Sequence, residues 1–537
     1  MATPDTLRSR PSALTPPDAR MLAAALAGAV AAGVGIALPE LIAGLVPGAP
    51  SLVVAIGAFV IDHQPPGAKD LVVDLFGAND KLALNLLIVV VALSIAAGLG
   101  VVARTRRAVA ETAFAAFGVA GLLAALAEPL VDPILAVVSA ALAIGASVQT
   151  LRWLLGRIGA SASTARGGAR TDRGRVGSMP DWNRRGFLIR AGGLAFGSLV
   201  VAAAGRRMLE TRPGGESGTG TIPPLPHPET APTLPAGASL DVPGITPLVV
   251  PNDRFYRIDT ALIVPRVDAS AWRLTVDGMV DRRVVLSYDD LRAMPQLEQY
   301  VTIACVSNKV GDNLVGNALW QGVRLREVLA MAGVQEGATQ IVGRSVDDFT
   351  VGFPTEWAMD PSREPMIAIG MNGSPLPLEH GFPARLIVPG LFGYVSATKW
   401  LAEIELTTLE AFDAYWVPLG WAKEGPILTQ SRIDVPRAGA SLPAAPVTIA
   451  GVAWAPDRGI SRVEVSIDGG PWQACTLSAA ISKATWVQWQ LSWTPTAGHH
   501  QIEVRATDGT GAVQTSDVTP PAPDGARGHH TIEVDVG

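Results

Sequence analysis

Cysteine is nearly absent from this sequence, with only Cys305 and Cys475 among 537 residues. Two thiols 170 positions apart exclude a disulfide framework. Without a CxxC pair or a Cys/His cluster there is also no place for structural zinc or an iron–sulfur centre. Histidine is scarce too. His63 is the only one before His227, so the apolar first part lacks the histidine pair that a b-type haem needs, and no CxxCH site marks a covalent haem. Charged residues make up 17% of the chain and hydrophobic ones 48%, which excludes disorder for most of it and a fully soluble class. No nucleic-acid partner is expected.

What is present divides in two. Residues 1–210 carry 19 basic and 13 acidic side chains, and residues 211–537 carry 23 and 35. Apolar runs over 21–46, 82–103, 108–127, 133–155 and 187–205 approach or exceed the roughly 20 residues that cross a bilayer as helix. A shorter run at 51–61 reads as re-entrant or interfacial, with 71–76 lying on the surface. Arg8, Arg10 and Arg20 precede the first run, Arg104, Arg106 and Arg107 follow the second, and arginines fill 152–185 before the last. Positive residues stay cytoplasmic, whereas Asp62, Asp70, Asp74 and Asp80 suit the outer side. The expectation is a cell-membrane protein with five spans and an extracytoplasmic C-terminal part. Glu40 and Glu128, near helix ends, are the acidic residues of this region that stand out.

The segment reading is therefore a transmembrane helical region over 1–155, then an Arg-rich cytoplasmic loop and last span over 156–210. Asn183-Arg184-Arg185-Gly186-Phe187-Leu188 resembles a twin-arginine export signal, although it is internal and has Asn where Ser or Thr is commoner. Residues 211–250 form a Pro-rich linker, 251–435 an α+β domain and 440–537 an all-β unit. In the α+β part, 272–278 reads as a strand and turn and 323–332 as a helix. Val447–Trp454, 461–468 and 500–508 alternate, Gly469-Gly470 marks a hairpin, and the spacing suits an immunoglobulin-like sandwich. His499-His500 and His529-His530 point to opposite faces of a strand and read as surface or turn residues, not metal ligands.

Cys305 closes the apolar stretch Tyr300-Val301-Thr302-Ile303-Ala304 and opens the polar loop Val306-Ser307-Asn308-Lys309-Val310-Gly311. A thiol at a sheet edge beside backbone N–H groups and a lysine is set up for thiolate, the form a nucleophile or a soft metal needs. Residue type alone also allows a buried core cysteine, and Cys475 is read that way.

Four blocks carry a resemblance. Cys305-Val306-Ser307-Asn308 is followed by Gly316-Asn317-Ala318-Leu319-Trp320-Gln321-Gly322-Val323-Arg324-Leu325. Then come Met371-Asn372-Gly373-Ser374-Pro375-Leu376-Pro377, His380-Gly381-Phe382-Pro383-Ala384-Arg385 with Val388-Pro389-Gly390, and Lys399-Trp400-Leu401. In this order they resemble the molybdenum-binding region of the sulfite oxidase family of molybdopterin oxidoreductases. The resemblance implies that Cys305 gives the single protein thiolate to a molybdenum whose other sulfurs come from the pterin dithiolene. It implies that His380, Arg385 and Lys399 contact the pterin and its phosphate, with Asn308 and Ser396 in the same cofactor-binding set. It places Asn252, Tyr256 and Arg257 where the family approaches pterin and substrate, and Arg257 and Lys309 as the charges of a substrate pocket. A guanidinium supplies a planar fork and an ammonium a mobile point charge, both suited to an oxoanion.

Departures matter as well. Lys309 and Val310 stand where sulfite oxidases carry arginines, and Phe349 stands where they carry the pocket tyrosine. Sulfite as substrate loses support, and sulfite oxidation and sulfoxide reduction both stay open. The β unit resembles the dimerisation domain of the same family, through 466–472 and 505–508, which implies a homodimer. The electron partner would be a quinone or a cytochrome. The rival reading is a catalytically inactive relative acting as a membrane-bound binding or assembly module.

Overall fold

A computed structural model describes residues 19–65, 80–163, 181–211 and 222–537. Arg8, Arg10, Asp70, Asp74, the segment 71–76 and the greater part of the Arg-rich loop lie outside the described residues. The chain forms two compact units that meet in sequence at 212/213.

The first unit is helical: α1 Ala19–Leu45, α2 Leu52–Asp62, α3 Asp80–Val102, α4 Arg107–Leu126, α5 Pro133–Ser163 and α6 Asp181–Thr211. Five of these, all but α2, are long and apolar enough to cross a bilayer. The 11 residues of α2 reach about 16 Å, half the hydrocarbon thickness, so it is too short to cross. Helix α5 continues to Ser163, eight residues past the end of the apolar run at 155, because the polar stretch keeps helical backbone after its hydrophobicity is spent. Helix α1 is central and packs on α3, α5 and α6. Gly28 faces the backbone of Ala96 and Gly100, and Gly205 faces that of Glu40, so a Cβ at either position would collide with main chain. Glu40 is buried and accepts a hydrogen bond from Ser51, whose hydroxyl also caps α2 through Val54 N at 3.2 Å. On the α4–α5 face, Glu111 takes Arg107 Nε at 2.8 Å and Arg152 Nη2 at 2.7 Å.

The second unit begins with residues 222–250, extended as their prolines dictate but laid along the domain. Glu229 N donates to Gln296 O at 2.9 Å, Gln321 Nε2 to Pro226 O at 2.6 Å, and Val250 N to Asn317 O at 2.9 Å. Ala238, Leu248 and Val250 are buried. A segment read from sequence as a linker is thus, from residue 222 on, part of the fold.

Two sheets follow, one mixed and one antiparallel. One orders Val284–Ser287, Arg273–Gly278, Leu401–Thr407, Gln340–Ser345 and Thr350–Pro354, with Arg273–Gly278 and Leu401–Thr407 parallel. The other orders Leu297–Ala304, Val315–Arg324, Met366–Met371 and Ser374–Pro375, and Arg385–Ile387 also pairs with Met366–Met371. The helix expected from 323 starts at Leu325 instead. Val323 and Arg324 stay in strand, paired to Ile367 and Met366, because ladder hydrogen bonds and two-sided burial outweigh an apolar pattern that suits either period.

Residues from Gln430 onward make a two-sheet sandwich. Gln430–Val435, Val447–Trp454, Val487–Trp493 and Thr476–Leu477 form one sheet. Ser441–Leu442, His530–Val536, Gly498–Asp508, Ile460–Ile467 and Gln473–Ala474 form the other. Strict alternation along Gly498–Asp508 sends Ile502, Val504 and Ala506 against Trp489, Val463 and Val465. Asp468 and Gly469 take positive φ at the predicted hairpin. The α+β domain and the sandwich share one core, to which Val452, Trp454 and Trp486 of the sandwich and Val301 and Ile303 of the α+β domain all belong.

Three of the four paired histidines are not surface residues. His500 Nδ1 meets Asp468 Oδ2 at 2.7 Å, His529 Nδ1 meets Glu503 Oε1 at 2.8 Å, and His530 Nδ1 accepts from Ile433 N at 3.0 Å. Neighbouring strands supply those partners, and the strand-period argument could not see them. His499 is exposed beside Asp535.

Candidate active site

Cys305 lies one residue past Leu297–Ala304, and its N–H extends that ladder to Leu314 O at 2.9 Å. The loop then folds back on itself. Asn308 N donates to Cys305 O at 3.1 Å, and Asn308 Oδ1 accepts Leu314 N at 2.7 Å. Gly311, at φ 80°, sits against the His530 ring, and Arg432 Nη1 donates to Asp312 O at 2.8 Å, so the sandwich pins the far side of the loop. The thiol is 8% exposed.

An arm formed by residues 252–259 crosses in front. Asn252 joins it to the Met371–Ser374 turn, accepting Asn372 Nδ2 at 2.7 Å and donating to Met371 O at 3.3 Å. Phe255 is buried edge-on against Trp320 and His380, with ring centroids 5.8 and 5.6 Å apart. Any Cβ at Gly316 would strike that ring, so glycine there is what lets the arm seat. Tyr256 stacks on Phe255. Burial first, and then the charge of Cys305, hold its hydroxyl far above the usual tyrosine range, opposed by Arg385. Cys305 and Arg385 are thus both within electrostatic reach of the Tyr256 hydroxyl.

His380 and Arg385 come from the turn and strand after Ser374–Pro375. The ring of His380 is buried, and burial pushes its pKa down to about 4, so it is neutral at physiological pH. Nε2 lies 2.9 Å from Asn252 O, a carbonyl, and so carries the proton. Nδ1 is therefore a lone-pair acceptor, and it is buried without a partner. Arg385 is 3% exposed, donates Nη1 to His380 O at 3.0 Å and lies 5.0 Å over Trp320, while its Nε is also buried and unpartnered. Gly381 permits this pairing: at φ 111° its missing Cβ would sit 3.0 Å from Lys399 Cα and 3.2 Å from Arg385 Cβ.

Lys399 is buried, and burial lowers its pKa to about 8. Its Nζ donates to Glu379 O at 2.9 Å and to Asp259 Oδ2 at 3.0 Å. The same carboxylate oxygen takes Arg257 Nε at 2.9 Å. Asp259, 5% exposed, is thus the centre of a cation–carboxylate–cation bridge. Close by, burial raises the pKa of Asp347, with Asp259 a smaller contributor, and Asp347 Oδ1 accepts Phe349 N at 3.4 Å.

Seven of the expected residues therefore converge: Cys305, Asn252, Tyr256, Arg257, His380, Arg385 and Lys399. The other three have different surroundings. Asn308 spends its amide oxygen on its own loop. Ser396 is buried and donates to Phe392 O at 3.0 Å at the end of Gly393–Ser396. Lys309 is exposed in the turn after Cys305. Asp259 and Asp347 were not anticipated. The one sequence signal for Asp259 is its place two residues after Arg257 in an extended arm, which puts both side chains on one side.

These residues suit a pterin phosphate. Arg385 is a buried cation with an unpartnered N–H, and His380 Nδ1 is a buried acceptor facing no donor of the chain. An anionic ligand that also carries N–H groups satisfies both.

Both domains of the second unit are similar to known families. Residues 261–416 match the family described as oxidoreductase molybdopterin binding domain, and residues 430–504 match bacterial Ig domain. The mitochondrial sulfite oxidase of Homo sapiens is 31% identical over 320 residues, covering 51% of this chain and 58% of its own length. Nitrate reductase [NADH] 1 of Oryza sativa subsp. japonica is 31% identical over 308 residues, covering 46% of this chain and 34% of its own. The crystal structure of the sulfane dehydrogenase SoxCD from Paracoccus pantotrophus aligns at a TM-score of 0.46 and 23% identity, over 53% of this chain and 81% of that one. The chain thus spans little more than half the length of the sulfite oxidases it matches.

Proposed function

We infer that this chain, which carries a molybdopterin-binding oxidoreductase domain of the sulfite oxidase family, is a membrane-anchored enzyme that moves an oxygen atom to or from a small oxoanion or sulfoxide. The observation that supports this reading is the pair of buried atoms without a partner, His380 Nδ1 and Arg385 Nε, on two side chains joined through the Arg385 Nη1–His380 O hydrogen bond. When bound, the molybdenum cofactor supplies two-electron oxygen-atom exchange. The protein's part is positional and electrostatic. Cys305 presents one sulfur from a loop that is pinned on both sides. Arg385 gives the pterin phosphate a desolvated counter-charge, and His380 accepts a ligand N–H. Tyr256 keeps its proton throughout the physiological range and offers a buried O–H donor within electrostatic reach of Cys305. Arg257, 39% exposed at its side chain, is the cation of the converging set that a substrate would meet first.

In the same reading the five apolar helices cross the membrane, with arginine-bearing ends inside and the catalytic unit outside. Arg184 and Arg185, in the first turn of α6, serve folded export, which a cofactor inserted in the cytoplasm would need. A quinone or cytochrome exchanges the electrons, and the sandwich supports a homodimer. An inactive binding module would not need a buried guanidinium and a buried imidazole that each leave a nitrogen without a partner. The test is turnover of the solubilised protein with sulfite plus an artificial acceptor, and with methionine sulfoxide plus an artificial donor. Absence of both activities in protein that contains molybdenum, with Cys305→Ala indistinguishable from the parent, would sink this reading.

A further inference from the structure

The bridge at Asp259 bears on which substrates the site admits. Arg257 and Lys399 converge on one carboxylate: Arg257 Nε and Lys399 Nζ reach the same oxygen at 2.9 and 3.0 Å, and Arg257 Nη2 approaches the other at 3.5 Å. Their distances and their planar-fork-plus-ammonium geometry are those of a bound oxoanion, but the oxoanion is part of the chain. Asp347, which accepts Phe349 N at 3.4 Å, is a second acidic group within electrostatic reach of Asp259. With both acids ionised, the four side chains sum to no net charge. Asp259 is nearly without solvent exposure, so its field is little screened, and a second anion brought against it meets repulsion that bulk water would have removed.

We propose that Asp259, seconded by Asp347, is a specificity-determining residue that fills the anion position between Arg257 and Lys399, so that the pocket takes uncharged polar oxo compounds of the sulfoxide class and rejects dianions such as sulfite. This rests on the reading that Arg257 faces the substrate, and it narrows the substrate class left open above. Asp259 acts through the two cations it holds and is a positioning residue, not a catalytic one.

The experiment uses the full-length, detergent-solubilised, molybdenum-loaded protein as parent, Asp259→Asn, Asp259→Glu and Asp347→Asn. Sulfate, an unreactive dianion, is titrated calorimetrically, molybdenum per chain is measured by mass spectrometry, and sulfite and methyl phenyl sulfoxide are compared as substrates. Asp259→Asn should bind sulfate at least tenfold more tightly than the parent. It should also raise the kcat/KM ratio of sulfite to sulfoxide at least tenfold, while Asp259→Glu stays close to the parent. Asp259→Asn with full molybdenum and no gain in sulfate affinity would overturn the proposal. If that variant is poor in molybdenum, Asp347→Asn carries the test, since it leaves the Arg257–Asp259–Lys399 bridge whole. A gain of about threefold for sulfate then supports the proposal, and no gain overturns it. Sulfate binding needs no turnover, so a parent that processes neither substrate defeats the oxygen-transfer reading while the charge proposal remains decided by the titration.

Discussion

Arg385 offers a prediction whose sign differs between the empty and the loaded protein. Its guanidinium is buried with one carbonyl as hydrogen-bond acceptor and the Trp320 ring 5.0 Å away, and burial brings its pKa from 12.5 to about 10. That fall is equivalent to about 3 kcal/mol against the charged form in the cofactor-free fold. For a base with a depressed folded-state value the penalty is fully present below about pH 10, and therefore at pH 7, and it fades as pH rises toward the unfolded value. Arg385→Met removes the penalty and forfeits one hydrogen bond and the ring contact, together about 1–2 kcal/mol. The cofactor-free globular unit should therefore gain about 1–2 kcal/mol, a rise in Tm of about 2–4 °C. Loaded protein should go the other way, because the phosphate loses its buried counter-charge, and molybdenum content should fall at least tenfold. Differential scanning calorimetry on protein from cells blocked in molybdopterin synthesis and from normal cells, with metal analysis of the latter, checks both halves. Destabilisation of the cofactor-free protein by about 2 kcal/mol or more would refute the reasoning, since it would mean that the chain itself already satisfies the guanidinium.

Acid should weaken the globular unit through two buried histidines. His380 and His530 each have a pKa pushed by burial to about 4, so between about pH 6.5 and 4 the unfolded chain binds protons that the fold refuses. Each contributes a loss of up to about 3 kcal/mol in urea-unfolding stability across that window, and His530→Gln should flatten the profile. Gly381→Ala should cost about 1–3 kcal/mol and release cofactor, as measured by molybdenum per chain, because φ 111° and the 3.0 Å approach to Lys399 leave no room for a methyl group. Arg363→Ala should destabilise the second unit by about 2 kcal/mol in the same unfolding assay. It removes a partner 2.8 Å from the buried Asp457 of the sandwich and a cation stacked 3.7 Å over Trp357.

The legible parts of the fold were those with a strong local signal. Three of the five long apolar helices fall within two residues of their runs, while α5 and α6 extend six to eight residues beyond theirs, and the strand before Cys305 ends because an apolar stretch gives way to a polar, glycine-punctuated loop. The metal-ligand candidate and its basic and imidazole neighbours were also readable, as blocks in order. What stayed hidden was long-range. Asp259 acquires its meaning only when Lys399, 140 positions on, arrives at its carboxylate. The histidines of the sandwich took their partners from adjacent strands, and the strand periodicity that turned His499 and His500 apart had no information about those neighbours. The proline-rich stretch from 222 to 250 was rightly extended, but composition alone cannot separate an extended tether from an extended strap with a surface to lie on.

The shared core between the α+β domain and the sandwich has a mechanical side. Trp486 N donates to Thr302 Oγ1 at 2.8 Å, Thr302 N donates to Ala484 O at 2.9 Å, and Thr302 is three residues ahead of Cys305 on the same strand. On the other side of the cysteine loop, Arg432 and His530 hold Asp312 and Gly311. The sandwich therefore works as a jig clamped on both ends of the segment that carries the sulfur. A partner that strains the sandwich, or an engineer who trims it, acts on the position of the Cys305 sulfur without touching the side chains around it.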